Sequence, residues 1–199
     1  MRINKKIKQE YKSNASGIMQ FPCELENFMR FMIVNNVKSY LEIGVKGGSL
    51  VKFIKNTLNL DNIYACDINN IEPLVLDTDV NFYHGSSRSD GYMKWRESLG
   101  HIDMVFIDGE HTYKAIKKDY QIEQKFSHSF IAFHDICNKG YSDLRKFWLE
   151  EVHGEKTEFV NCNPRSRLIC LAHKNKEYMK KYKRKYGTSC GIGVCWNSP

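Results

Sequence analysis

The strongest constraint in this sequence is a rhythm. Short apolar runs alternate with helical patterns, and four of the runs end on an acid or beside one. Ser39–Ile43, Asn62–Cys66, Asn81–His84, Ile102–Ile107, Phe130–Phe133 and Thr157–Val160 read as strands. Residues 24–35 carry apolar side chains at 25, 28, 29, 32 and 33, a helical stripe. Further helices are predicted over 49–58, 90–98, 112–126 and 143–152. The strands are apolar along their length rather than alternating, which is the signature of a parallel sheet covered on both faces. The expectation is an α/β, Rossmann-like three-layer sandwich with a mostly parallel seven-stranded sheet. Either Arg167–Ala172 or Gly191–Trp196 supplies the last strand. Ligands of such sheets sit beyond the carboxyl ends of the strands. The acids at those ends are Glu42, Asp67, Asp108 and Asp135.

The stretch Leu41–Ser49 (Leu-Glu-Ile-Gly-Val-Lys-Gly-Gly-Ser) joins a strand to a helix through glycines, which lets a backbone approach a nucleoside closely. The glycines alone mean no more than a turn. With Asp67 at the tip of the next strand they outline a ribose-binding βαβ unit. The spacing lacks the G-x-G-x-x-G of nicotinamide dinucleotide sites.

Asp108-Gly109-Glu110-His111 and His134-Asp135 form a second group. Two acids on adjacent strand tips suit a hard divalent cation such as Mg²⁺ or Mn²⁺. A plainer reading makes Asp108 a helix cap, His111 a loop histidine, His134 a strand-end histidine and Tyr113 a packing residue.

The order Leu-Glu-Ile-Gly-Val-Lys-Gly-Gly-Ser, Tyr-Ala-Cys-Asp, Val-Phe-Ile-Asp-Gly-Glu-His-Thr-Tyr with Asp119 downstream, then Ala-Phe-His-Asp, resembles class I S-adenosylmethionine-dependent methyltransferases. It is most similar to the branch of small-molecule O-methyltransferases, macrolide-sugar methyltransferases and cephalosporin-hydroxylase-like proteins. The resemblance covers roughly residues 20–160. It implies that Glu42, Gly44, Gly47 and Ser49 wrap the methionine part of the cofactor and Asp67 holds the ribose. Gly85, Ser86 and Ser87 lie near the adenine, and Asp108 faces both cofactor and metal. By the same resemblance Asp108 and Asp135 bind metal and His111 acts as base, while His134 and Glu110 compete as third ligand. Gly193 resembles part of the family's last strand, making 163–189 an insertion before it. The implied acceptor is a small-molecule or sugar hydroxyl.

Composition bounds the rest. The 199 residues, 42% hydrophobic, fit a single folded domain with an N-terminal extension over 1–20, polar, basic and frayed or draped over it. No run of eighteen apolar residues occurs, so no membrane span is expected. No apolar segment follows the basic start, so neither is a signal peptide. Seven cysteines form no CxxC pair, as expected for reduced thiols in a cytoplasmic protein. The net charge is +7, of which residues 161–199 carry +8, leaving −1 elsewhere. Lys174–Tyr186 interleaves cations with tyrosines. That is a solvated face or a grip for nucleic acid, and it makes RNA a rival acceptor. A non-catalytic cofactor-binding module and a hydroxylase-like relative are the other rivals. The oligomeric state is open, a homo-oligomer included.

Overall fold

A computed structural model describes residues 17–20, 22–70, 79–160 and 190–196 of the chain. The elements in order are α1 (Pro22–Val34), β1 (Ser39–Ile43), α2 (Ser49–Thr57), β2 (Asn62–Asp67), β3 (Asn81–His84) and α3 (Asp90–Ser98). There follow β4 (Ile102–Ile107), α4 (Tyr113–Glu123), β5 (His128–His134), α5 (Ser142–Glu150), β6 (Glu155–Phe159) and β7 (Ile192–Trp196).

The seven strands form one sheet in the order β3-β2-β1-β4-β5-β7-β6. The five from β3 to β5 are parallel, and β7 runs antiparallel to both β5 and β6. The expected mostly parallel seven-stranded α/β sheet is therefore present, and Gly191–Trp196 supplies the last strand. The competing segment Arg167–Ala172 lies outside the described residues, as do the basic stretch 174–186 and residues 1–16. Among the described residues no helix is long and apolar enough to cross a membrane.

Strand residues alternate between two cores. Tyr40, Met104, Phe106 and Ala132 face α1 and α2, whose Leu25, Phe28, Met29, Val51, Phe53 and Ile54 are buried with them. Leu41, Ile43, Val105, Ile107, Ile131 and Phe133 face the opposite layer, where Tyr92, Ile116, Tyr120, Phe147 and Trp148 pack. Both faces are covered, which is why the central strands need apolar side chains at successive positions. Helix starts are fixed locally. The Ser89 hydroxyl accepts from the Tyr92 amide at the head of α3, and Thr112 accepts from Ala115 at the head of α4. Asp108 is therefore not the cap of α4.

The chain before α1 is part of the fold. Ile18 is fully buried and Gln20 is 2% exposed, so residues 17–20 are built into the domain rather than draped over it. Glu24 of α1 accepts a hydrogen bond from the Gly191 amide at the entry to β7, tying the two ends of the described chain together. The four cysteines 66, 137, 190 and 195 are free thiols.

Candidate active site

The sheet order reverses between β1 and β4, and the crevice beyond their carboxyl ends is where a parallel α/β sheet accepts a ligand. Gly44 decides how tightly the two tips meet. A Cβ there would stand 2.4 Å from the Asp108 carbonyl oxygen, and φ is +89°, so only glycine fits. The Asp108 amide donates to Ile43 and the Gly44 amide to Cys66, which locks the three tips β2, β1 and β4 in register.

Two cavities open on this crevice. The larger, about 560 Å³, is lined by Gly44, Asp67, Asn69, Gly85, Ser86, Ser87, Asp108 and His111 among others. Its volume lies in the range of cofactor sites. The Asp67 carboxylate is aimed by backbone. The Lys46 amide donates to one oxygen at 2.8 Å and the Asn69 amide to the other at 2.8 Å. Each oxygen keeps acceptor capacity for ribose hydroxyls. At the far end the Ser87 hydroxyl donates to Asp119 at 2.8 Å, and Arg88 bridges Asp119 and Glu110. A nucleoside cofactor fits these donors and acceptors.

The smaller cavity, about 130 Å³, is lined by Gly17, Met19, Gln20, Glu42, Leu50, His134, Asp135, Asn138, Tyr141 and Cys190. It shares Gly44, Lys46, Asp108 and His111 with the larger one. Gly47 and Ser49, expected beside the cofactor, line neither cavity. Gly47 is exposed and Ser49 begins α2. Glu42 lies on the smaller cavity, and burial, then the charge of Asp108, raises its pKa well above the usual carboxylate range. The Tyr40 hydroxyl donates to it at 3.0 Å.

Between the cavities Asp108, His111, His134 and Asp135 meet, one donor atom from each lying within 4.8 Å of the others. His111 Nε2 is 2.9 Å from Asp135 Oδ2 and 3.4 Å from Asp108 Oδ1. His134 Nδ1 is 3.1 Å from Asp108 Oδ1 and 3.6 Å from Asp135 Oδ2. Gln20 donates to the other Asp108 oxygen at 2.7 Å, and Asn138 to Asp135 Oδ1 at 3.0 Å. Asp135 holds φ at +60°, a strained setting for a non-glycine residue that turns its carboxylate into the cluster. The His111 ring lies 4.5 Å from that of Tyr141.

The electrostatics are coupled. Burial opposes charging of His111, but hydrogen bonds to Asp108 and Asp135 outweigh it and lift its pKa to about 10. His134 is likewise opposed by burial and raised to about 9 by the two carboxylates. Burial works against ionisation of Asp135, yet His134 and His111 hold it down at about 2. Asp108 is lowered too, where the charge of His134 and bonds from both imidazoles overcome burial. Two carboxylates and two imidazoles around one point fit a divalent cation.

Of the second sequence group, the structure brings Asp108, His111, His134 and Asp135 together. Glu110 is not with them; it is exposed and paired to Arg88. Gln20, Asn138, Tyr141 and Cys190 were missed. Their only signal in the sequence is position, just before a helix or strand or after a strand tip, and that does not distinguish them from ordinary loop residues.

Comparison with known proteins bears on the fold that carries this site. Residues 41–136 match the family model described as a methyltransferase domain. Among solved structures, an O-methyltransferase from Bacillus cereus in complex with S-adenosylhomocysteine superposes with a TM-score of 0.63 at 12% identity, covering 97% of this chain and 91% of that one. The O-methyltransferase TomG from Streptomyces achromogenes, in complex with S-adenosylmethionine, gives 0.59 at 10% identity, covering 100% and 91%. MycE methyltransferase from the mycinamycin biosynthetic pathway, in complex with Mg and S-adenosylhomocysteine, gives 0.60 at 14%, covering 96% of this chain and 55% of that one. No curated protein matches the chain. The chain thus shares the fold of solved S-adenosylmethionine-dependent methyltransferases, and its residues 41–136 match the methyltransferase-domain model.

Proposed function

We propose that the protein transfers a methyl group from S-adenosylmethionine to the oxygen of a small-molecule or sugar hydroxyl, with a divalent cation, Mg²⁺ or Mn²⁺, at the Asp108–Asp135 centre. One observation carries this reading. A nucleoside-sized cavity and a smaller cavity share Asp108 and His111, so a donor in one and an acceptor in the other meet at an acid–base group. The solved structures named above, one of which contains Mg, support the donor and the cation.

In this reading Asp67 holds the ribose, and Gly44 with the Lys46 backbone bounds the methionine end. Asp108, fixed by Gln20, and Asp135, fixed by Asn138, hold the charge of the centre. His134 is the third ligand. Asp108, Asp135 and His134 would hold the cation, which when bound would lower the pKa of the acceptor hydroxyl and offset the carboxylate charge that raises the pKa of His111. His111 Nε2 then takes the hydroxyl proton as the acceptor oxygen attacks the methyl carbon in line and the sulfur–carbon bond breaks. Met19, Gln20 and Tyr141 wall the acceptor side.

Calorimetric titration with S-adenosylmethionine and S-adenosylhomocysteine tests the donor half. Methyl transfer to a panel of hydroxylated small molecules, with and without EDTA, tests the other half. Micromolar donor binding and EDTA-sensitive transfer are expected; absence of binding to either compound would falsify the reading.

A further inference from the structure

We infer that the centre formed by Asp108, Asp135 and His134 binds Mn²⁺ or another first-row transition cation in preference to Mg²⁺, with His134 Nδ1 as the discriminating ligand. The inference rests on the proposal that this centre holds a divalent cation.

His134 is 3% exposed, and its Nε2 has no hydrogen-bond partner among the described residues. The ring is therefore held from its Nδ1 side alone, where Asp108 Oδ1 stands at 3.1 Å and Asp135 Oδ2 at 3.6 Å. A proton on Nδ1 points at one oxygen; a cation in front of Nδ1 serves both. The spacing admits the second arrangement as well as the first. Ligands bound at about 2.1 Å stand roughly 3.0 Å apart at a right angle and roughly 3.4 Å apart at a tetrahedral angle. The fourth group, His111, approaches the same two oxygens at 2.9 and 3.4 Å from the rim of the cluster, its side chain 25% exposed.

The donor set decides the ion. Mg²⁺ requires oxygen ligands in near-octahedral order and gives up water reluctantly. An imidazole nitrogen strengthens binding of Mn²⁺, Fe²⁺, Co²⁺ or Zn²⁺ and does little for Mg²⁺. The acid that would complete an all-oxygen set, Glu110, is turned outward to Arg88 at 2.9 Å.

The test uses the full chain stripped of metal by chelation and dialysis. Mn²⁺ and Mg²⁺ are titrated separately by calorimetry, and bound Mn²⁺ is examined by pulsed electron paramagnetic resonance for coupling to a ¹⁴N nucleus. The expected result is ¹⁴N coupling in the wild type and in His111→Ala. In His134→Asp the coupling should vanish, with the Mn²⁺/Mg²⁺ affinity ratio falling at least about tenfold. Coupling that persists in His134→Asp, a ratio unchanged by it, or no binding of either ion overturns the inference. If His134→Asp does not fold, His111→Ala decides: coupling retained supports His134 as ligand, and coupling lost rejects it. Donor binding measured on the same preparations separates the two readings. Metal binding without S-adenosylmethionine binding sinks the methyltransferase proposal alone. Donor binding with Mn²⁺ and Mg²⁺ held equally, or not at all, sinks this one.

Discussion

Two clusters of buried charge lie in this molecule, and they are built differently. Arg96 and Glu123, both fully buried, are joined at 2.8 Å between α3 and the end of α4. Tyr92 donates to the other Glu123 oxygen at 2.5 Å. The remaining guanidinium nitrogens donate to the carbonyls of Gly100 and Ser127, and the guanidinium lies over the Phe126 ring. No polar side-chain atom there lacks a partner. The cluster of Asp108, His111, His134 and Asp135 has an unpartnered Nε2, a strained backbone at Asp135 and a cavity on either side. The difference teaches that burial of charge does not mark a site. The first cluster is a closed pin between helices; the second is open to something that arrives.

Substitution can break that contrast. Arg96→Met leaves Glu123 buried without its cation and is expected to cost about 3–5 kcal/mol of stability, a fall of roughly 10 °C or more in the melting midpoint. S-adenosylmethionine affinity of the folded fraction should be unchanged. A small shift in thermal melting would mean that the pin is not structural.

Asp108→Asn should act in the opposite sense. Methyl transfer is expected to drop by roughly 10²–10⁴-fold in a steady-state assay, while melting moves much less than in Arg96→Met. Comparable melting losses in the two variants would erase the distinction between pin and site.

A more local effect belongs to Asp67→Ala, which removes the carboxylate proposed to hold the ribose. Donor binding by calorimetry should weaken by about 10–100-fold, with kcat at saturating donor nearly preserved. Equal loss of kcat and kcat/KM would place Asp67 nearer the chemistry than the structure does.

The smallest expected effect is that of pH on the metal-free protein. The folded pKa values of His111, about 10, and His134, about 9, lie above the ordinary 6.5. Their contribution is full below pH 6.5 and is lost as pH rises through 9 and 10. Asp135, at about 2 against an ordinary 3.8, contributes above pH 3.8 and loses that contribution as pH falls toward 2. The melting midpoint should therefore be highest between about pH 4 and 6.5 and decline by a few degrees toward pH 10. In His111→Gln the alkaline decline should be shallower; an identical slope would mean that His111 is not held by the two acids.

The strand rhythm was legible because it is a local consequence of covering a sheet on both faces. It placed six strands within two residues at either end and set Glu42, Asp67, Asp108 and Asp135 at the carboxyl ends. The last strand was left between two segments. Each is a short apolar run, and only pairing along β5, with Gly193 leaving room for Trp148, selects one. The acid–histidine cluster was legible in membership but not in connection. His111 spans two carboxylates and Glu110 turns away to Arg88, and both follow from where β3, β4 and β5 bring their tips.

By itself, then, the sequence determined the layered sheet, the glycine at the β1 tip and the acids at the strand ends, because periodicity and turn chemistry act over a few residues. Only the tertiary structure decided what lies 27 to 167 residues apart in sequence yet within hydrogen-bond reach. Gln20 against Asp108, Glu24 against Gly191, and Arg96 against Glu123 have no local signature. Such pairings are selected by the whole packing, where each buried polar group must find a partner or be left open for a ligand.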